Sequence, residues 1–345
     1  MKKLILLLVL FSFAFLSCNQ APKKPSGDQF AGLLERAKST FSPLAEVADN
    51  PDNPITPEKV LLGRTLYFDK RLSKDETLSC NSCHDLQTFG VDNEPTSDGV
   101  GGQKGERNSP TVLNAAFHFT QFWDGRAKDV EEQAGGPILN PLEMAMPDQE
   151  AVISRLAAVK GYQDLFAAAF PGEERPVNYK NLEKAIGAFE RKLITPSRFD
   201  EYLMGYEEAL NNEEKKGLQT FMEVGCTACH SGSVLGGQMY QKFGLMGNYW
   251  DFTQSQKVDN GRFLVTNNES DRMIFKVPSL RNIEKTHPFF HDGSITDLGE
   301  AVKIIAKLQL NKDLTDQETQ EIVTFLKTLT GTVPAELAQA PEMPL

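Results

Sequence analysis

The chain has 345 residues and a formal net charge of −11, and its composition is 40% hydrophobic and 24% charged. This length predicts two domains of ordinary size, and the composition is that of a globular protein and not of a membrane-embedded one. The acidic balance gives no indication of nucleic-acid binding, because that function needs a concentrated basic face.

The N-terminus has the pattern of a secretory signal over residues 1–17. Lys2 and Lys3 precede an apolar run that is too short to span a membrane. The run ends in a sequence similar to a lipobox, so we predict cleavage before Cys18 and a lipid on that cysteine; an ordinary signal peptide with an incidental cysteine is the alternative. Residues 18–38 then read as a tether. Cleavage leaves 34 basic and 47 acidic residues, a charge of about −13.

Helix signals recur along the rest of the chain, whereas strand-like alternation is rare. They comprise a Thr-Pro N-terminus at 56–57, an amphipathic run at 182–193 that ends near a Thr-Pro pair, and a capping box at 315–318 with Gly331 as the expected stop. Long Gly- and Pro-containing loops fill 88–112 and 231–300, and loops of this length are usually functional.

Two Cys-x-x-Cys-His pentapeptides account for four of the five cysteines. This pattern is typical of c-type haem attachment, in which both thiols bond to the haem vinyl groups and the histidine becomes an iron ligand. A zinc site or a thioredoxin-like pair is the alternative. We therefore predict two covalent haems, bound by Cys80, Cys83 and His84 and by Cys226, Cys229 and His230.

The spacing of the two haem motifs predicts one haem in each domain. We expect a mainly α fold of two cytochrome c-like haem domains with long loops that wrap the haems. The predicted boundaries are 39–205 for the N-terminal haem domain and 206–338 for the C-terminal haem domain.

Several further motifs resemble those of the bacterial dihaem cytochrome c peroxidase family. They occur in order over roughly residues 40–335 and together are highly specific. The matching segments are 107–114 (RNSPTVLN), 121–127 (QFWDGRA), 132–137 (EQAGGP), 140–144 (NPLEM), 235–237 (LGG), 275–282 (FKVPSLRN) and 288–294 (PFFHDGS).

The resemblance implies that the N-terminal haem is peroxidatic and that the C-terminal haem relays electrons. Two irons suit a two-electron reduction of hydrogen peroxide by one-electron donors. By resemblance Glu143 shuttles the proton needed to break the O–O bond, Gln133 orients the peroxide, and Trp123 lies between the haems. Outside this motif set, Glu143 would be a surface carboxylate and Trp123 a core residue.

The resemblance also implies a calcium ion between the haem domains, at Asn108, Thr286 and Pro288. The last two would bind through carbonyl oxygens, as suits a hard cation. The expected electron donor is a small cytochrome c or cupredoxin. We expect a periplasmic protein whose only link to the membrane is the lipid on Cys18, and family members are commonly homodimers.

The first departure from the family pattern is at Val100. Most members have a histidine there, which binds the peroxidatic iron in the oxidised enzyme and must leave before peroxide can bind. Valine cannot bind iron, and the nearest remaining histidine in sequence, His118, lies between two phenylalanines and is expected to be packed. We therefore expect an iron that is open in the resting state and needs no reductive activation.

The second departure is Ile305, which stands where the family has the axial methionine of the C-terminal haem. Loss of that thioether should lower the potential of this haem. His291 lies in a family motif and is expected near a haem or the calcium ion, whereas His287 is expected to be structural. Three alternatives remain open for the sixth site: it is empty, it holds water, or it takes a residue from elsewhere. Weak candidates for such a residue are Met239, Met246, Met273 and Lys307.

Two other functions remain open at this point. The methylamine-utilisation dihaem enzyme of the same superfamily also has an open haem and lacks the methionine, and it oxidises a partner protein through high-valent haem iron. Its second haem carries a tyrosine, however, where this chain has Ile305. A dihaem electron carrier is the third function, but a carrier has no use for a proton shuttle such as Glu143.

Overall fold

The computed structural model describes residues 29–253 and 255–345. The predicted signal, Cys18 and most of the predicted tether lie outside them. The fold is mainly α, as expected. No helix in the described ranges has the length and apolarity needed to cross a membrane. The α-helices are α1 (Leu33–Thr40), α2 (Pro57–Phe68), α3 (Cys80–Cys83), α4 (Val130–Leu139), α5 (Gln149–Ala157), α6 (Lys160–Ala169), α7 (Tyr179–Glu190), α8 (Arg198–Met204), α9 (Asn212–Val224), α10 (Trp250–Thr253), α11 (Phe263–Thr266), α12 (Leu298–Leu310) and α13 (Asp316–Lys327).

The first haem motif lies in a half built on α2, α4 and α7. Helix α2 begins as predicted, because Pro57 occupies the first turn and the Thr56 hydroxyl accepts the Lys59 N–H at 3.2 Å. Helices α2 and α7 approach closely at Gly63, where a Cβ would lie 1.9 Å from the carbonyl oxygen of Ala185. This contact leaves room for no residue larger than glycine at position 63.

The second haem motif lies in a half built on α9, α12 and α13. The predicted capping box is confirmed, since Thr315 and Glu318 bond reciprocally at the start of α13. The helix ends at Lys327 and not at Gly331. Gly331 instead pairs with Ser197, and a Cβ on it would lie 2.3 Å from the carbonyl oxygen of Thr195. Gly331 therefore serves a close backbone contact and not the helix end.

Within the long segment 231–300 the structure has one small antiparallel sheet. Its strands are β1 (Tyr240–Lys242) and β2 (Ile274–Lys276), with Tyr240 opposite Lys276 and Gln241 opposite Phe275. An aromatic cluster packs beside the sheet and includes Phe243. The sheet forms part of the wall of the C-terminal haem site.

The two chain ends cross over between the halves. Leu33 and Phe41, at the ends of α1, pack in the core that contains α9 and α13. The C-terminal tail packs on the opposite half, where Ala338 joins the cluster around Tyr67. The Arg64 guanidinium also donates to the Gln339 carbonyl at 2.6 Å. The predicted domain boundaries at 38, 205 and 338 stay predictions.

A buried ion pair joins α8 to the segment after β2. Arg281 is 1% exposed and Asp200 is 2% exposed. The guanidinium donates to both carboxylate oxygens of Asp200 at 2.5 and 2.8 Å, and also to the carbonyl oxygen of Ser233. The same carboxylate accepts the N–H of Leu44 and that of Ser197. Asp200 thus connects its own segment, which includes Ser197, to those of Leu44 and Arg281.

Candidate active site

The first attachment motif forms the short helix α3, whose start is closed by reciprocal bonds of Ser79 and Ser82. His84 follows the helix, and its carbonyl oxygen accepts the Tyr67 hydroxyl at 2.5 Å. The Nδ1 atom of His84 is buried and has no partner among the described residues. The motif therefore presents two sulfurs and one imidazole from a single turn, as covalent haem attachment requires.

The environment of these sulfurs does not favour the zinc and thioredoxin-like alternatives. Burial raises the pKa of Cys83 to about 11, with further contributions from Asp92 and Glu143. A thioredoxin-like nucleophile needs a lowered thiol pKa. Residues 29–253 and 255–345 hold no group of three or more His, Cys, Asp or Glu side chains arranged to bind a metal ion.

The second attachment motif forms a 3₁₀ turn over Cys226–Ala228, preceded by Gly225 at a φ of 101°. His230 is oriented by a hydrogen bond of 2.8 Å between its Nδ1 atom and the carbonyl oxygen of Leu235. A carbonyl can only accept, so Nδ1 carries the proton. This tautomer leaves the Nε2 lone pair free for iron.

A large apolar cavity lies behind this second motif. Cys226, Cys229 and His230 form one wall, and Ile305 of α12 and Phe275 of β2 form others. A deep, mainly apolar cleft with an imidazole and two sulfurs on its wall fits the flat, apolar macrocycle of a c-type haem. The residues of both motifs are consistent with the predicted covalent haems.

Val100 and Glu143 lie in adjoining loops. The N–H of Val100 donates to the Glu143 carbonyl oxygen at 2.8 Å. Gly99 fits tightly beside this bond, since a Cβ on it would lie 2.0 Å from the Leu142 carbonyl oxygen. Because Glu143 also contributes to the raised pKa of Cys83, both loops lie near the first attachment motif.

Glu143 is a partly buried carboxyl with one direct polar partner. The Nδ2 group of Asn140 donates to its Oε1 at 2.7 Å. Burial raises its pKa, against the opposing effects of the Arg126 charge and the Asn140 bond. A carboxyl that accepts and returns protons near neutral pH benefits from such a shift.

Gln133 lies on α4, half-buried. Gly136 follows one turn later, and a Cβ on it would contact the Phe122 ring at 3.4 Å. The Arg126 guanidinium lies over the same ring at 3.5 Å. Because positions three apart share a helix face, Gln133 belongs to the face that meets Phe122. The segment 121–127 therefore meets the helix that carries Gln133, and the charge of Arg126 acts on Glu143.

Trp123 is half-buried and lines the cavity of the second motif. Its indole N–H donates to the Asn108 carbonyl oxygen at 2.9 Å, and its own carbonyl oxygen accepts the Lys276 N–H at 2.7 Å. These bonds fix a residue of the N-terminal half against β2 of the C-terminal half. The position suits the interhaem role that the resemblance implies.

The three predicted calcium ligands, Asn108, Thr286 and Pro288, line this same cavity. The N–H of Asn108 donates to the His291 carbonyl oxygen at 2.8 Å, and its side-chain Nδ2 donates to the Glu94 carbonyl oxygen. Since Nδ2 donates, the Oδ1 atom is the group left for a cation. The predicted ligands thus border one cavity, and their oxygen atoms are of the kind that calcium selects.

Ile305 lines the same cavity as His230, so the cavity has an apolar side chain at the position where the family has methionine. None of the four weak candidates for a sixth ligand is among the described residues that line this cavity. Met246 is 58% exposed, Met273 packs against the aromatic cluster, and the Lys307 ammonium pairs with Asp313. Met239 precedes β1, and its carbonyl oxygen accepts the Val277 N–H beside the sheet.

The remaining histidines differ in environment. His291 is buried within a ring of aromatic side chains, the nearest of which is Phe275 at 4.4 Å between ring centroids. His287 is exposed, and its carbonyl oxygen accepts the Asn93 side chain. His118 packs on Gly237 and bonds to Lys276, away from the Val100–Glu143 junction. His118 is half-buried as a residue, and its Nε2 atom is fully buried. The expectation that it packs and does not bind iron stays a prediction.

Two charged residues of the site were missed by the sequence reasoning. Arg126 has no distinguishing pattern, and its role depends on the fold. Lys276 had a signal, because it interrupts an apolar strand between Phe275 and Val277. A lysine at a strand position that becomes buried calls for a nearby anion.

Residues 57–208 match the family model described as di-haem cytochrome c peroxidase. The chain is 46% identical to the cytochrome c551 peroxidase of Pseudomonas aeruginosa over 308 residues, which is 89% of this chain and 88% of that protein. It is 32% identical to the methylamine utilization protein MauG of Methylorubrum extorquens over 92% of this chain and 91% of that one.

Among solved structures, the fold is similar to that of a MauG-like protein associated with microbial copper homeostasis. The TM-score is 0.74 and the identity 30%, with 86% of this chain and 95% of that chain covered. Similarity therefore extends over both haem motifs and the segments between them.

Proposed function

The chain belongs to the di-haem cytochrome c peroxidase family and is a peroxidase of that class, and from this premise we propose that its N-terminal site reduces hydrogen peroxide without prior reductive activation. The observation that carries the proposal is the contact of Val100 with Glu143, which puts a side chain unable to bind iron beside the proposed proton shuttle. The identity of 46% to a cytochrome c peroxidase against 32% to MauG favours peroxide reduction over oxidation of a partner protein.

The overall reaction adds two electrons and two protons to hydrogen peroxide and gives two waters. The haems, when bound, supply the electrons and an iron to which peroxide can bind. Ionised Glu143 would accept a proton from one oxygen of the peroxide and return it to the other oxygen, which would leave as water. Gln133 holds the peroxide by hydrogen bonds, and Asn140 fixes the rotamer of the Glu143 carboxylate.

Trp123 has the role of coupling the two sites. Its backbone and indole bonds to Lys276 and Asn108 hold it rigidly against both halves. A fixed aromatic ring between donor and acceptor shortens the path for electron transfer. The one-electron donor is a small cytochrome c or cupredoxin. Ile305 and His230 line the same cavity, so this cavity offers an apolar side chain at the position where the family has a methionine.

The open resting site is tested by electron paramagnetic resonance of the fully oxidised protein. We expect a high-spin ferric signal from the N-terminal haem and peroxide turnover that starts without a lag. Val100→His should give a low-spin signal and make turnover depend on pre-reduction, because imidazole can bind the iron. Val100→Ala is the matched control and should keep the high-spin signal. Two low-spin signals in the unaltered protein would refute the proposal.

Calcium binding at Asn108, Thr286 and Pro288 is a separate part of the proposal. It is supported by their position on one cavity wall and by the bond that orients Asn108. In calorimetric titration of chelator-treated protein, Asn108→Ala should weaken calcium binding about tenfold, which corresponds to about 1.4 kcal/mol. The exposed Asn248→Ala is the control and should leave the affinity unchanged. Equal affinities in the two variants would contradict this site.

The cellular setting also belongs to the proposal. Cleavage before Cys18 and lipidation of that residue would place the enzyme in the periplasm on a lipid anchor, with residues 18–38 as the tether. The support is the charged and then apolar pattern of residues 1–17. A homodimer, as is common in the family, completes the proposal.

A further inference from the structure

A buried lysine with no carboxylate partner lies between the two halves. Lys276, at the end of β2, is 6% exposed. Within the described ranges no Asp or Glu oxygen lies within 4 Å of its ammonium group, and its side-chain bond of 3.0 Å is to Nδ1 of His118. Transfer of an uncompensated ammonium group into a protein interior costs several kcal/mol. An anion beside this ammonium group would offset that cost.

His118 adds a second donor at the same place. The ammonium group can only donate, so Nδ1 of His118 accepts and the ring proton is on Nε2. The Nε2 atom is buried and has no partner in residues 29–253 and 255–345. His118 and Lys276 both line the cavity of the second haem motif. Two buried donor groups thus border one cavity and lack an acceptor.

The haem that attaches to Cys226 and Cys229 carries its own anions. Its two propionates extend from the edge opposite the thioether bonds. The charge of Lys312 opposes the raised pKa of the Cys226 thiol, so Lys312 is the lysine near the attachment edge. The Gln241 side chain of β1 hydrogen-bonds to the Cys229 thiol, and Gln241 lies opposite Phe275 of β2. Lys276 is the next residue along β2 and lies opposite Tyr240, so its side chain is on the other face of the sheet. Lys276 therefore borders a different part of the cavity from the two sulfurs.

We propose that Lys276 and His118 together bind a propionate of the C-terminal haem. The ammonium group donates a charge-assisted hydrogen bond to the carboxylate, and the Nε2–H of His118 donates to the same group. His118 comes from the N-terminal half and Lys276 from the C-terminal half, so the propionate joins the two halves. The Lys276 N–H also bonds to the Trp123 carbonyl oxygen at 2.7 Å, which ties the propionate edge to the interhaem tryptophan.

This arrangement also affects the electron affinity of the haem. A fixed positive charge beside the macrocycle favours the reduced iron, which carries one positive charge fewer than the oxidised iron. Lys276 therefore partly compensates for the absence of a methionine at Ile305. Its two functions, anchoring the propionate and raising the potential, can be measured separately.

The test uses holoprotein with haem labelled by ¹³C at the propionate carboxylates. Redox-difference infrared spectra are recorded at potentials that separate the two haems. In Lys276→Met we expect a shift of the labelled carboxylate bands of the C-terminal haem and a lower midpoint potential for that haem. Lys276→Arg, which keeps the charge, should retain most of the potential and show a smaller band shift.

His118→Phe provides a second, independent variant, because it keeps an aromatic ring at this position and removes both ring nitrogens. We expect a shift of the same bands with a smaller change in potential, since the neutral imidazole carries no charge. If Lys276→Met fails to load haem, the Lys276→Arg and His118→Phe variants test the proposal through the same labelled carboxylate bands. Unchanged labelled bands in a loaded variant, or a shift confined to the N-terminal haem, would overturn the proposal.

Discussion

Replacing Glu143 with glutamine is expected to lower kcat for peroxide about 10²- to 10⁴-fold, the range that a lost general acid–base supplies. Glutamine keeps the volume and can still contact Asn140, but it cannot accept a proton. Haem attachment and the resting spin state should not change, because Glu143 bonds to the protein through Asn140 and through its backbone. Steady-state turnover with a reduced cytochrome c measures the loss.

The pH dependence of the same variant adds a second signature. The ionised form of Glu143 accepts the first proton, and burial raises the pKa of this carboxyl. The rate of the unaltered enzyme should therefore fall as the pH is lowered through that raised pKa, at a higher pH than for an ordinary glutamate. This acid limb should be absent from Glu143→Gln. The exposed Glu150→Gln serves as the control and should keep both the rate and the limb. A full rate in Glu143→Gln would exclude the proton shuttle.

Replacing Asp200 with alanine is expected to lower the free energy of unfolding by about 3–5 kcal/mol, the effect of removing one partner of a buried ion pair. The change leaves the Arg281 charge buried with only the carbonyl oxygen of Ser233 and the hydroxyl of Ser197 as acceptors. It also removes the acceptor of the Leu44 N–H. Urea unfolding, followed by far-ultraviolet circular dichroism, measures the loss.

The control for this prediction is a surface pair. Lys303 and Asp316 form a salt bridge whose carboxylate side chain is 96% exposed. Asp316→Ala should leave the unfolding midpoint unchanged, because water screens and replaces such a contact. Equal midpoints for Asp200→Ala and Asp316→Ala would mean that the buried pair does not stabilise the fold.

The local parts of the fold were predictable because their causes are local. The cap of α2 at Thr56 and the capping box of α13 at Thr315 depend on residues within one turn, and both formed as expected. The end of α13 was placed too late, because Gly331 is required by a contact with Thr195 that is distant in sequence. Sequence periodicity carries no information about such a contact.

The candidate site divides in the same way. Attachment residues are recognisable because two sulfurs and a histidine must lie within one turn. The charge of Arg126 near Glu143 and the pairing of Lys276 with His118 depend on loops that meet only in the folded protein. His118 was expected to be packed, and it is half-buried. Its contact with Lys276 could not be foreseen from the adjacent phenylalanines.

The crossing of the chain ends constrains how this architecture can be recombined. A segment cut at residue 205 would carry α1 without the core on which it packs, and its complement would carry the tail that belongs beside Tyr67. An exchange of one half between relatives must therefore transplant a terminal segment together with it. Sequence modules and folding modules do not coincide in this protein, and a functional chimera requires three junctions where a simple tandem array would require one.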